Sequence, residues 1–219
     1  MKLRELPEHF ATVLGDVVDS RGYPDQASLL RELRRLLQLV NQRVPALQPL
    51  SCSVGDEFQG VYESLKEALL ATLAVQLHAK GSFEVRFGLG WGPISVFSPE
   101  EAPMGQSGPA WWMAREAIDE AKNQVRGWPE GAHSRFRCDD RWTFGTINAL
   151  LLYRDQIVFG MDEKDAAIAL GLLDGKRQTD LARELSITQS AVSARQRGKG
   201  PAALLRAHEV IAESWSPTT

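Results

Sequence analysis

Four carboxylates in two short runs are the residues of this chain best suited to chemistry. Asp16 and Asp19 lie in Gly-Asp-Val-Val-Asp-Ser-Arg at 15–21, and Asp56 and Glu57 lie in Ser-Val-Gly-Asp-Glu-Phe at 53–58. Magnesium or manganese needs hard oxygen ligands, and such a cation commonly bridges one or two carboxylates to substrate phosphates. Asp16 and Asp56 are therefore the candidate metal pair, with Asp19 and Glu57 close by. The same residue types also serve plain structure, because Gly-Asp makes hairpin turns and Asp-Ser makes caps.

The pair can act together only if the fold joins segments forty residues apart, and the surrounding periodicities say how. Residues 10–18 are apolar and β-branched and read as a buried strand. Leu29, Leu33, Leu36, Leu37 and Val40 recur at helical spacing until Pro45. Runs at 48–54 and 58–62 flank Gly55-Asp56-Glu57 as a hairpin. A helix over 64–79 with a Leu65, Leu69, Leu73, Leu77 stripe follows, then a strand over 83–91. Strand, helix, strand, strand, helix, strand is the ferredoxin-like βαββαβ order, which puts the first strand beside the third and brings Asp16 toward Asp56. Beyond it the sequence predicts a Pro/Gly-rich linker at 98–109, a helix near 110–123, a turn before Phe136 and Cys138, and a long helix near 140–159.

Bulk properties exclude several classes. A net charge of −3 rules out nucleic-acid binding through overall charge, leaving only a local basic segment. Two cysteines, Cys52 and Cys138, with no CxxC, suggest reduced thiols and neither a disulfide framework nor a zinc site. Lys2, Arg4, Glu5, Glu8 and His9 interrupt any opening signal segment, and Asn148, Arg154, Asp155 and Gln156 interrupt the apolar stretch near 142–159. The expected compartment is the cytoplasm. His9, His78, His133 and His208 are scattered and suggest no catalytic histidine.

Leu-Gly-Asp-Val-Val-Asp-Ser-Arg, Ser-Val-Gly-Asp-Glu-Phe, Val-Arg-Phe-Gly-Leu-Gly-Trp-Gly-Pro-Ile at 85–94 and Met-Ala-Arg at 113–115 resemble, in order and spacing, the motifs of class III nucleotide cyclase domains. The chain is more closely similar to the bacterial SatD family, cyclase-like domains that can carry a C-terminal helix-turn-helix. The resemblance implies that Asp16 and Asp56 hold Mg or Mn, that a nucleoside triphosphate or another nucleotide is the ligand, and that Arg115 is the catalytic arginine stabilising the transferring phosphate. It also implies a homodimer, to which the 140–159 helix is a candidate contributor. Cys52, Gly55, Trp111 and Arg115 become the nucleotide-binding candidates. Cys52 stands where these cyclases select the base with lysine or glutamate, and Trp111 where they hold the ribose with asparagine. Arg115 could equally pair with Asp119 on a helix surface, and Trp111 and Trp112 could stack on a base or pack in a core. Gly-Asp-Glu-Phe also resembles diguanylate cyclases weakly, with Val54 replacing their second glycine. The glycines 88, 90 and 92 are no dinucleotide loop, because no helix opens after them.

Residues 178–197 carry a helix-turn-helix pattern: Ala182 where helices cross, Ser186 at the tight turn, Ile187 and Val192 inward, and Thr188 as a cap. Thr188, Gln189, Ser190, Ser193, Arg195, Arg197 and Lys199 are the candidate DNA contacts. Between 175 and 206, seven lysines and arginines face only Asp180 and Glu184, so DNA is the expected partner through residues 176–200. A helical appendage for protein contacts is the alternative. The expected fold is thus an α/β (α+β sandwich) cyclase-like domain over 1–160 and an all-α helix-turn-helix domain over 161–219. Expected function is a DNA-binding transcriptional regulator that binds a nucleotide and metal as its signal. The alternatives are an active nucleotidyl cyclase or related phosphoryl-transfer enzyme targeted to DNA, and a scaffold with both sites vestigial.

Overall fold

Side-chain parity along the first strand decides which face of the sheet carries the carboxylates. In the computed structural model, which describes residues 8–96, 106–123, 127–198 and 200–214, β1 runs Phe10–Val17. Ala11, Val13 and Val17 join the main core on one face, while Leu14 packs beneath Ala114 and Ile118 on the other. Asp16 shares the parity of Leu14 and therefore faces the second side.

Strands β2 (Gln48–Cys52) and β3 (Phe58–Tyr62) form the expected hairpin. They are followed by β4 (Val85–Gly92), a short ribbon of β5 (Ser95–Val96) and β6 (Gln106–Ser107), and β7 (Ser134–Arg137). The main sheet has the order β2-β3-β1-β4-β7. With β1 antiparallel to both β3 and β4, its first four strands have the expected split βαβ order. Strand β7 adds a fifth position, parallel to β4, where the sequence suggested only a turn before Phe136. Its Ser-Arg-Phe-Arg segment lacks apolar alternation because its arginines find other partners. Arg135 stacks 3.6 Å over the Trp128 ring, and Arg137 pairs with Glu120 at 3.1 Å.

Helix α1 (Gln26–Arg43) begins where the Asp25 carboxylate accepts from Ser28 N at 2.9 Å, and it buries the five predicted apolar positions. Beside it lies α2 (Leu65–Ala79). Phe58 and Phe87 meet edge-on beneath these helices with centroids 6.0 Å apart, and each such ring contributes roughly 1.5–3 kcal/mol by leaving water. Helix α2 corrects the one-sided leucine stripe, since Ala68, Ala71, Ala74 and Val75 are buried as well. It is covered on two sides, by the sheet layer and by the C-terminal helices.

Helix α3 (Pro109–Lys122) lies directly on β4. A Cβ at Gly88 would sit 2.2 Å from Ala114 O, and one at Gly90 would sit 2.0 Å from Ala110 O. The alternating glycines are thus a seat for helix backbone. Most of the linker expected over 98–109 falls outside the described residues.

Helix α4 (Arg141–Phe159) packs Ile147 and Leu151 into the main core and buries Arg154 and Asp155 completely. Arg154 donates to Thr72 Oγ1 at 2.9 Å and Ser134 Oγ at 2.8 Å. Asp155 accepts from Ser134 N at 2.7 Å and Gln76 Nε2 at 2.8 Å. Buried charges survive when paired and hydrogen-bonded in this way, and the network ties α4 to α2 and β7.

The chain continues as α5 (Glu163–Leu173), α6 (Gln178–Glu184), α7 (Gln189–Gly198) and α8 (Pro201–Ser214). Met161, Ala166, Ala169 and Leu204 bury against Leu73 and Leu77 of α2. Ile168, Leu181, Ala182 and Val192 form a separate small cluster, with Ile187 against it. Among the described residues there are eight α-helices, none long and apolar enough to cross a membrane, and both cysteines are free.

Candidate functional site

The sheet brings the two acidic runs to one cleft. Its walls are Asp16 and Val17 at the end of β1, the Asp19–Gly22 turn, Val54 to Glu57 of the hairpin, Arg86 of β4 and Lys122 of α3. The opening is wide, about 750 Å³.

Each carboxylate is placed by local backbone logic. The β1–β3 ladder ends at Gly15 opposite Phe58, leaving the Val17 N–H without a strand partner on that side. Asp56 Oδ2 accepts it at 3.1 Å. Gly55, in the left-handed region at φ 62°, permits the turn, and Glu57 N closes it on Val54 O at 3.0 Å. Asp16 lies opposite Arg86 in the β1–β4 register. Its Oδ1 accepts from Arg86 Nη1 at 2.9 Å, and its Oδ2 meets Lys122 Nζ at 2.8 Å.

Arg115 projects from α3 and forks Glu57 at 3.0 and 2.8 Å. The guanidinium holds the Glu57 carboxyl below the usual carboxylate range, against the opposing effect of burial. Asp119 adds negative charge near Arg115, but the bidentate partner comes from the hairpin. Arg115 therefore fastens α3 to the turn that carries Asp56.

Two nucleotide-binding candidates lie elsewhere. Cys52 shares a separate pocket of about 280 Å³ with Arg34, Leu37 and Gln38 of α1, and burial pushes its thiol up. Trp111 packs against the Leu14, Ala114 and Ile118 cluster and donates to Gln106 Oε1 at 3.3 Å. Trp112 is exposed. Arg86 and Lys122 are site residues that the sequence reading did not single out. A usable signal was present, since Lys122 follows Arg115 by seven residues, two turns along one helix face.

The donor set fits a hard divalent cation. Asp16 and Asp56 present hard carboxylate oxygens to one cleft, the donor type such an ion takes. Both oxygens of Asp16 are paired, with Arg86 and Lys122, which an ion at Asp16 would have to displace or share. Among the described residues no three His, Cys, Asp or Glu side chains are placed to hold one metal ion together, so the ion's other ligands would be phosphate oxygens or water.

At the other end of the chain, α6 closes with Ile187 N donating to Ala182 O at 3.0 Å and Ser186 N to Arg183 O at 3.3 Å. Ser186 takes the left-handed conformation, φ 53°, as its turn position predicts. Thr188 Oγ1 caps α7 by accepting from Ala191 N at 3.1 Å. Gln189, Ser190 and Arg197 are exposed, and Ser193 is half-buried. Arg195 points the other way, to Asp162 and Asp165 of the α5 cap, at 2.7 Å each. Lys199 lies outside the described residues.

The SatD family model matches residues 10–214, nearly the whole chain. The chain belongs to the SatD family. No curated protein matches this SatD-family chain. Among solved structures, two of adenylate cyclases from Trypanosoma brucei in their monomeric state are similar to it. One has a TM-score of 0.42 at 16% identity, covering 53% of this chain and 72% of its own. The other has a TM-score of 0.41 at 17% identity, covering 53% of this chain and 71% of its own.

Proposed function

We propose that this SatD-family chain is a DNA-binding regulator whose cyclase-like domain takes a nucleotide with a divalent cation as its signal. The observation that carries this reading is the convergence of Asp16, Asp56, Arg86 and Lys122 on one open cleft. Asp16 and Asp56 would hold the cation, and the cation would neutralise phosphate charge. Arg86 and Lys122 offer N–H donors to phosphate oxygens at the same mouth, and charge-assisted bonds of this kind are the strong ones.

Two residue types favour binding over conversion. Cys52 stands where the cyclase pattern selects the base with lysine or glutamate, and Trp111 where it holds the ribose with asparagine. A tryptophan accepts no hydrogen bond and offers a single donor. Arg115, the expected catalytic arginine, is engaged by Glu57.

We read α6 and α7 as a helix-turn-helix within a C-terminal domain over 161–219, separate in role from the cyclase-like 1–160. Thr188, Gln189, Ser190, Ser193 and Arg197 would form its DNA face, without Arg195. A homodimer would present two such helices to a two-fold related site.

The test is incubation with ATP or GTP plus manganese, read by mass spectrometry alongside binding. The regulator reading expects bound, unchanged nucleotide and DNA affinity that responds to it. A cyclic or oligonucleotide product that disappears in Asp56→Asn would overturn it in favour of the enzyme.

A further inference from the structure

Asp16 is served by two cations of different kinds. Arg86 is fixed opposite it by strand register and is 13% exposed. Lys122 reaches it from the last turn of α3 on a flexible four-carbon stem and is 36% exposed. A compact ammonium with three rotatable donors can change partners more freely than a planar guanidinium.

The cleft's charge explains why a movable cation would be useful. Asp16, Asp19 and Asp56 line it against Arg21, Arg86 and Lys122, and Glu57 is paired with Arg115. Carboxylates and cations balance, so the cleft offers a polyphosphate no surplus positive charge, and a divalent ion would supply it. A divalent ion arriving at Asp16 then meets an ammonium 2.8 Å from the Asp16 Oδ2 it must use. Two cations on one oxygen repel, while the phosphates arriving with the ion provide a new partner for the ammonium. The negative end of α3 keeps the lysine near the mouth in both states.

Building on the nucleotide–cation reading above, we infer that Lys122 is a tethered counter-cation. It occupies Asp16 while the cleft is empty, gives way to the divalent ion, and passes to the phosphates of the bound nucleotide. Lys122 thus sets the cation threshold of the site and couples cation entry to nucleotide entry. It is a positioning residue for the cation and a direct contact for the phosphate.

The signature is a pair of opposite effects. Calorimetric titration of the full-length protein with Mn²⁺ alone, then with ATP at saturating Mn²⁺, measures both affinities in wild type, Lys122→Met and Lys122→Arg. Lys122→Met should bind Mn²⁺ about fivefold more tightly, the scale of a partly exposed ion pair. It should bind ATP about tenfold more weakly, the scale of a charge-assisted hydrogen bond. Lys122→Arg, which keeps the charge on a less mobile head group, should lack the Mn²⁺ gain of Lys122→Met, and Asp16→Asn should abolish the Mn²⁺ effect. Unchanged or weaker Mn²⁺ binding in Lys122→Met, with circular dichroism matching wild type, would overturn the inference while leaving the nucleotide reading intact. Absence of ATP binding to wild type at saturating Mn²⁺ would overturn both.

Discussion

Gly90→Ala probes the seat of α3, the helix that delivers Arg115 and Lys122. A Cβ there would stand 2.0 Å from Ala110 O and 2.7 Å from Ala114 N, both backbone atoms. A flexible side chain could swing aside, but helix backbone cannot. Reaching an ordinary 3.4 Å contact from 2.0 Å requires α3 to retreat by about 1.4 Å. That movement loosens Ala114 and Ile118 from Leu14 and stretches the buried bond from Thr12 Oγ1 to Ala110 O, now 2.8 Å. Overpacking of a dense interior costs ~1–3 kcal/mol and a weakened buried hydrogen bond ~1 kcal/mol. The expected loss is about 3 kcal/mol, a large part of a typical folding free energy. Urea denaturation followed by circular dichroism measures it, with Gly22→Ala as the control because nothing lies within 4 Å of a Cβ at that position. A loss under about 0.5 kcal/mol in Gly90→Ala, the level of a neutral surface change, would refute the reasoning.

Arg154→Met leaves Asp155 buried without its cation and should destabilise the protein by about 3–5 kcal/mol in the same assay; a neutral result would mean that the network is dispensable. Burial, followed by the Arg154 charge, holds His208 neutral with a pKa of about 3 against an ordinary 6.5. The unfolded chain takes up that proton first, so stability should fall as pH drops from about 6.5 toward 3, by up to ~1.4 kcal/mol per unit. His208→Leu should flatten this slope, and an unchanged slope would contradict the assignment. Arg195→Ala should lower the melting temperature by releasing the α5 cap and change DNA affinity less than Arg197→Ala does, as fluorescence anisotropy at two salt concentrations can show.

Features set by strong periodicity were legible in the sequence. The apolar spacing of α1 and the hairpin around Gly55 put β1 between β3 and β4, and that order carries Asp16 to Asp56. Ser186 could be assigned to a tight turn because a helix end of this kind needs a left-handed residue. Features set by contact between distant segments were not legible. Strand β7 is short and arginine-rich, and its identity depends on Trp128 and Glu120. Helix α2 reads as one-sided because alanines score weakly in a stripe, yet the C-terminal helices cover them. Arg154 and Asp155 look like surface charges interrupting an apolar run, and only Thr72, Gln76 and Ser134 explain their burial. Arg86 joined the site through strand register, which no local pattern encodes, whereas Lys122 was within reach of the sequence through its seven-residue spacing from Arg115 on one helix face.

The central claim is that the cleft between Asp16 and Asp56 holds a nucleotide together with a cation. Its most direct test is calorimetric titration of ATP and GTP into the full-length protein with Mn²⁺, for wild type and for Asp16→Asn combined with Asp56→Asn. The account predicts saturable binding of at least one nucleotide that needs Mn²⁺ and is lost in the double variant. Equal binding by both proteins, or none by wild type, would contradict it.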